Sequence, residues 1–142
     1  MRVLIAIVAL LMVSCGKDAY VDMKAVDPDC WERSVSIFYE NEDTESLHNL
    51  SVALRYNNDF EADTLSVVVH TSLPDAHQFR EQFMLSLKRD YSSAAVTASE
   101  LVPYRDSSLL SQRGCYIFTI TPCRAVKGIE AVGIGIKKKK KR

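Results

Sequence analysis

A chain of 142 residues with 47% apolar and 25% charged side chains is long enough to bury its own core, and its composition excludes intrinsic disorder. Its formal charge is zero, but the last six residues are all basic. Setting these and Arg2 aside leaves 11 basic against 18 acidic residues, a body of about −7, which argues against nucleic acid as a partner.

The chain opens with Arg2 and an unbroken apolar run over residues 3–13, followed by Ser14 and Cys15. Eleven apolar residues suit the core of an export signal and fall short of the ~20 that span a bilayer. A small residue directly before a cysteine completes a lipoprotein cleavage site. Residues 1–14 therefore read as a signal peptide, with Cys15 as the residue that carries lipid. The expected location is the cell envelope, with the outer membrane as the expected membrane and its periplasmic or surface face left open. Residues 15–30 are polar, contain Pro28 and show no periodicity, and so read as a lipid-anchored tether.

From Trp31 the pattern changes to period two, the mark of half-buried strands. Apolar positions alternate at 35, 37 and 39, at 50, 52, 54 and 56, and at 65, 67 and 69. They do so again at 83, 85 and 87, at 116, 118 and 120, and at 132, 134 and 136. Six strands punctuated by Asn57-Asn58-Asp59, by residues 72–75 and by Gly114 predict an all-β fold, an antiparallel β-sandwich of jelly-roll-like form over residues 31–136. Residues 92–99 read as either a seventh strand or a loop, and 105–113 as irregular chain with room for one helical turn. Ala131, Gly133 and Gly135 give the last strand a face of small residues. Such a face admits a neighbouring backbone, a flat ligand, or tight cover by an adjacent element. The basic tail, residues 137–142, reads as a solvated terminus or as a contact for anionic lipid or an acidic partner.

An exported chain meets an oxidising compartment, and Cys30, Cys115 and Cys123 remain once Cys15 is assigned to lipid. Along one strand, Cys115 and Cys123 lie up to about 26 Å apart, whereas a disulfide needs Cα atoms within about 7 Å. The possible disulfide is therefore Cys30 with Cys123, or with Cys115, and a chain with no disulfide fits equally well. No zinc spacing, phosphate loop or nucleophile motif occurs. His48, His70 and His77 fall in separate segments, and the acidic group Glu40, Glu42, Asp43 and Glu45 lacks calcium-loop spacing. No metal, no cofactor and no enzymatic activity are expected, and the residues name no small-molecule ligand.

Several motifs resemble the gliding-motility lipoprotein GldH family of the Bacteroidota. They are Trp31 after the tether, residues 50–60 (LSVALRYNNDF), residues 114–118 (GCYIF), and Arg124 followed by residues 128–136 (GIEAVGIGI). The similarity runs in order over the mature chain. It departs at residues 88–93 (KRDYSS), where the family often has a segment with Gly and Trp. The resemblance implies a lipid-anchored outer-membrane sandwich serving surface motility in gliding organisms, with envelope protein partners and no catalytic residues. A glycan- or ligand-binding surface lipoprotein is the alternative, which a contiguous exposed aromatic strip would favour. A hydrolase would need a cleft of converging titratable groups.

Overall fold

The computed structural model describes residues 19–88 and 97–139. Among these, eight strands and no helix are formed: β1 (Ala19–Ala25), β2 (Val35–Asn41), β3 (Leu47–Asn57), β4 (Thr64–Ser72), β5 (Gln78–Ser86), β6 (Thr97–Leu109), β7 (Gly114–Pro122) and β8 (Ile129–Lys138). They form two four-stranded antiparallel sheets, in the orders β1-β8-β3-β6 and β2-β7-β4-β5. Eight strands wound so that the chain changes sheet in this order make a jelly-roll sandwich.

The alternation in the sequence is the cause. Ile37, Val52, Leu54, Val67, Phe118, Ile120, Val132 and Ile134 all point inward and are excluded from solvent. Together with Leu65, Val69, Leu85 and Tyr116 they fill one continuous core between the sheets. Each such side chain contributes roughly 1.5–3 kcal/mol of burial. Trp31 closes one end of the core. Its backbone bridges Val126, and its indole N–H donates to the Arg33 carbonyl at 2.8 Å. At the same end Gly128 makes a crossing of three segments possible. Its N–H reaches the Pro28 carbonyl and its carbonyl accepts from Asn57, while a Cβ there would lie 2.2 Å from the Phe60 nitrogen.

The structure differs from the sequence expectation in three places. β1 occupies residues 19–25 of the segment read as tether, so the sandwich begins earlier than residue 31. Its period-two pattern is inverted: Tyr20 and Asp22 lean inward while the apolar Val21 and Met23 face solvent. At the other terminus, β8 runs to Lys138, so the first two lysines of the basic tail are strand residues. Finally, residues 105–109 continue β6 instead of making a helical turn. A register shift opposite Leu50 and Ser51 breaks the alternation of β6 around Pro103 and Arg105, and proline is tolerated there because β6 is an edge strand. Of residues 92–99, those up to 96 lie outside the described residues, and 97–99 open β6.

Candidate functional site

The outer face of the β1-β8-β3-β6 sheet can be read off its ladders. One row crosses Val21, Gly135, Ser51 and Pro103, and the next crosses Met23, Gly133, Ala53 and Leu101. Beyond the first row lie Ala19, Lys137 and Asn49. The centre of the face is thus built of Gly, Ala and Ser, flanked by exposed apolar side chains. Val21 and Leu101 are each about half exposed, at 50% and 52%. A shallow trough of about 380 Å³ runs along it, lined by Val21, Ser51, Leu101, Pro103, Gly135 and Lys137, among others. The small-residue face of β8 therefore has its space taken by neighbours. The β1 backbone crowds Gly133, and the Leu101 side chain reaches across β3 onto Gly135.

The same pairing gathers charge at one corner. Ala19 is opposite Lys137, and Lys138 is opposite His48. Lys138 lies 3.7 Å from Asp43 and Lys139 lies 3.7 Å from Asp106, both partly exposed pairs worth little individually. Asp43 is itself engaged by a turn. The Ser46 and Glu45 N–H groups donate to its carboxylate at 3.0 and 3.1 Å. These bonds, Ser46 first, and then the nearby Lys138, hold the Asp43 carboxyl well below the usual carboxylate range. The acidic loop thus serves as a capped turn.

The outer face of the other sheet is polar at its centre, with exposed Phe38 and Met84 toward its two edges. Ser34 and Thr121 bond at 2.6 Å and Ser36 and Thr119 at 2.9 Å, with His70 bonded to Gln78 alongside. Exposed Phe38 sits on this face at the β2 edge under Lys24, while exposed Phe79 on β5 has the opposite parity, in register with Thr71 and Phe118, and lies at the mouth between the sheets. The two do not form an aromatic strip.

Where β5 and β6 meet, a cleft of about 440 Å³ opens between the sheets, lined by Leu50, Phe79, Tyr104, Leu109, Tyr116 and Phe118, among others. Glu81 and Arg105 pair across its rim. Tyr104 stacks obliquely on Phe83, with ring centroids 5.0 Å apart. Its hydroxyl is buried with no partner among the described residues, and burial pushes its pKa above the usual phenol range.

Cys15 lies outside the described residues. The disulfide considered for Cys30 with Cys123 or Cys115 is not formed: all three are exposed free thiols. Cys115 belongs to the Gly114 end of β7, opposite Glu40. Cys30 precedes Trp31, which bridges Val126 beyond the other end of that strand, so the length of β7 separates these two. Cys123 follows β7 with its N–H bonded to the Ser66 carbonyl, on a loop distinct from that of Cys30. Among the described residues no three His, Cys, Asp or Glu converge as a metal site. His77 bonds Asp75 in an exposed turn, whereas His48 is buried on β3. The period of β3 already carried that signal, since His48, Leu50 and Val52 share one parity. Asn41, buried at the end of β2, was not anticipated at all. Its side-chain N–H₂ donates to the Leu110 and Gln112 carbonyls, each at 2.9 Å.

No family model matches the chain, and no curated protein matches it. Among solved structures it is similar to the crystal structure of the Yersinia pseudotuberculosis-derived mitogen, at 8% identity and a TM-score of 0.36, over 87% of this chain and 86% of that one. A likeness that distant carries no argument about function. What the strands and faces define is a class, the all-β antiparallel sandwich.

Proposed function

We propose that this chain is a non-enzymatic lipoprotein of the cell envelope, anchored through Cys15. In this reading it acts as an accessory component of an envelope assembly of the gliding-motility type at the outer membrane. The observation that carries this reading is the position of β1. The sandwich starts at Ala19, four residues after Cys15, so an acylated cysteine leads almost directly into an edge strand. Acyl chains there hold the domain against the membrane and raise its effective concentration toward neighbouring proteins.

Partner binding is by strand addition, which uses an unpaired sheet edge. Of the four edge strands, β6 carries Pro103 and a register shift, and β1 and β2 are seven residues each. β5 pairs with β4 over nine consecutive positions with no shift and has no proline. Its free edge displays Met84, 71% exposed, and Phe79. We assign the partner strand to β5. Crosslinking in intact cells tests this with a photoreactive residue at Gln82. Capture of a defined envelope protein, abolished by Met84→Pro but not by Met23→Ser, is the expected result. No captured protein at Gln82 would refute it.

A further inference from the structure

We infer that the outer face of the β1-β8-β3-β6 sheet, with the lysine corner at its end, is a docking surface for an anionic lipid bilayer. The proximity it assumes rests on the lipid-anchor reading above; the face and its charge do not.

Three observations converge on one occupant. The first is apolar relief: Val21 and Met23 on β1 and Leu101 and Pro103 on β6 stand exposed on either side of a floor of Gly133, Gly135, Ala53 and Ser51. Neither of these two rows contains a charged side chain; Arg55, one row further, is paired with Glu130 at 3.4 Å. Such relief suits shallow insertion at the headgroup boundary.

The second is charge. Lys137 shares the parity of Gly133 and Gly135 and so projects on this same face, with no ion pair among the described residues. Lys138 and Lys139 beside it face Asp43 and Asp106, and Lys140, Lys141 and Arg142 follow in sequence without an intervening acid. Among the described residues Lys138 and Lys139 are thus balanced by carboxylates and Lys137 is the cation left over on this face, while the sequence adds three further basic residues after Lys139. Long lysine stems can lie along the apolar surface while their ammonium groups meet lipid phosphates.

The third is chain geometry. Ala19 is paired with Lys137, so the segment leading back to Cys15 leaves the sheet at the lysine corner. Four residues span at most about 14 Å. An acyl chain entering the bilayer from Cys15 therefore brings this corner to the headgroups. One lipid signal plus a polybasic cluster is the combination that gives durable attachment. The other sheet, with the β5 edge, would then face away from the membrane toward partners.

The test uses the chain from residue 15 onward with Cys15→Ser, which keeps every described strand and removes the acyl contribution. It is sedimented with phosphatidylcholine vesicles, with and without phosphatidylglycerol. Binding only to the phosphatidylglycerol vesicles, weakened by salt, is expected. Replacing Lys137, Lys140 and Lys141 by Gln should weaken it on the order of 100-fold, at about a factor of five per lysine. Met23→Ser with Leu101→Ser should weaken it several-fold further, while Arg80→Gln on the opposite sheet should leave it unchanged; circular dichroism checks that each variant keeps its fold. Equal binding to both vesicles, or no binding, would overturn the inference. So would loss with the lysine variant but none with the Met23/Leu101 variant, since the tail alone would then be responsible. Acylation at Cys15 is read separately, from the mass of protein extracted from envelopes, so a failure of the anchor leaves the vesicle result interpretable.

Discussion

Gly133→Ala is the substitution whose consequence follows most directly from the geometry. Gly133 lies in β8 opposite Met23, and a Cβ built on it falls 1.8 Å from the Asp22 carbonyl oxygen and 2.6 Å from the Met23 Cα. Both neighbours are backbone, so no side chain can swing aside. β1 must retreat by more than 1 Å to bring the first contact to the 3.0 Å that real Cβ atoms respect. A ladder bond of about 2.9 Å stretched that far is no longer a hydrogen bond. β1 has little to hold it, because none of its residues is fully buried and only Tyr20, against Tyr39, packs on the core. Overpacking costs about 1–3 kcal/mol, and each lost bond adds about 1 kcal/mol. Reduced freedom of the unfolded chain returns about 0.5–1 kcal/mol. The expected net loss is about 2–3 kcal/mol by these terms. Urea unfolding followed by the fluorescence of Trp31 measures it, and amide exchange over residues 20–25 locates it, since β1 should lose protection before the rest. Gly135→Ala is the control: its close contact, at 2.9 Å, is the flexible end of Leu101, so it should cost below about 1 kcal/mol. A Gly133→Ala protein within about 0.5 kcal/mol of the parent, with β1 amides still protected, would refute the reasoning.

Three further outcomes are expected. Tyr104→Phe removes a buried hydroxyl with no partner among the described residues and should be neutral or stabilise by up to about 1 kcal/mol in urea unfolding; a clear loss would mean that the hydroxyl is satisfied in solution. Asn41→Ala deletes two bonds to the Leu110 and Gln112 carbonyls in a buried setting and should destabilise by about 2–3 kcal/mol on the same assay. Asp43 has a depressed pKa, so its contribution to the turn is fully present above its ordinary value of 3.8 and is lost only as pH falls further toward the folded value. Amide shifts of Glu45 and Ser46 should accordingly show no titration step near the ordinary value, and a step there would show that the carboxylate is not held by the turn.

The fold was legible where apolar residues point inward at period two. Residues 35–39, 50–56, 65–69, 83–87, 116–120 and 132–136 all became strand or strand-end positions with those side chains in the core. It was illegible where that correlation is reversed or interrupted. β1 hides because Val21 and Met23 face out while Asp22 leans in, which reads locally as polar tether. β6 hides because a register shift near Pro103 resets its parity. Of the candidate site, Gly133, Gly135 and the lysine run were visible in sequence, but their meeting with Ala19, Val21 and Leu101 depends on ladder registers between strands far apart in the chain. Asn41 could not be singled out, because a buried amide in a strand looks like an exposed one until its neighbours are known.

Membrane anchorage through Cys15 is most directly tested by intact mass and fractionation of the chain expressed in an envelope-bearing host. The expected product begins at Cys15, carries the mass of covalently bound acyl chains and sediments with membranes, while Cys15→Ser releases it. A chain cut at another position with an unmodified Cys15, or a Cys15→Ser protein still fully membrane-bound in high salt, would contradict lipid anchorage at this residue.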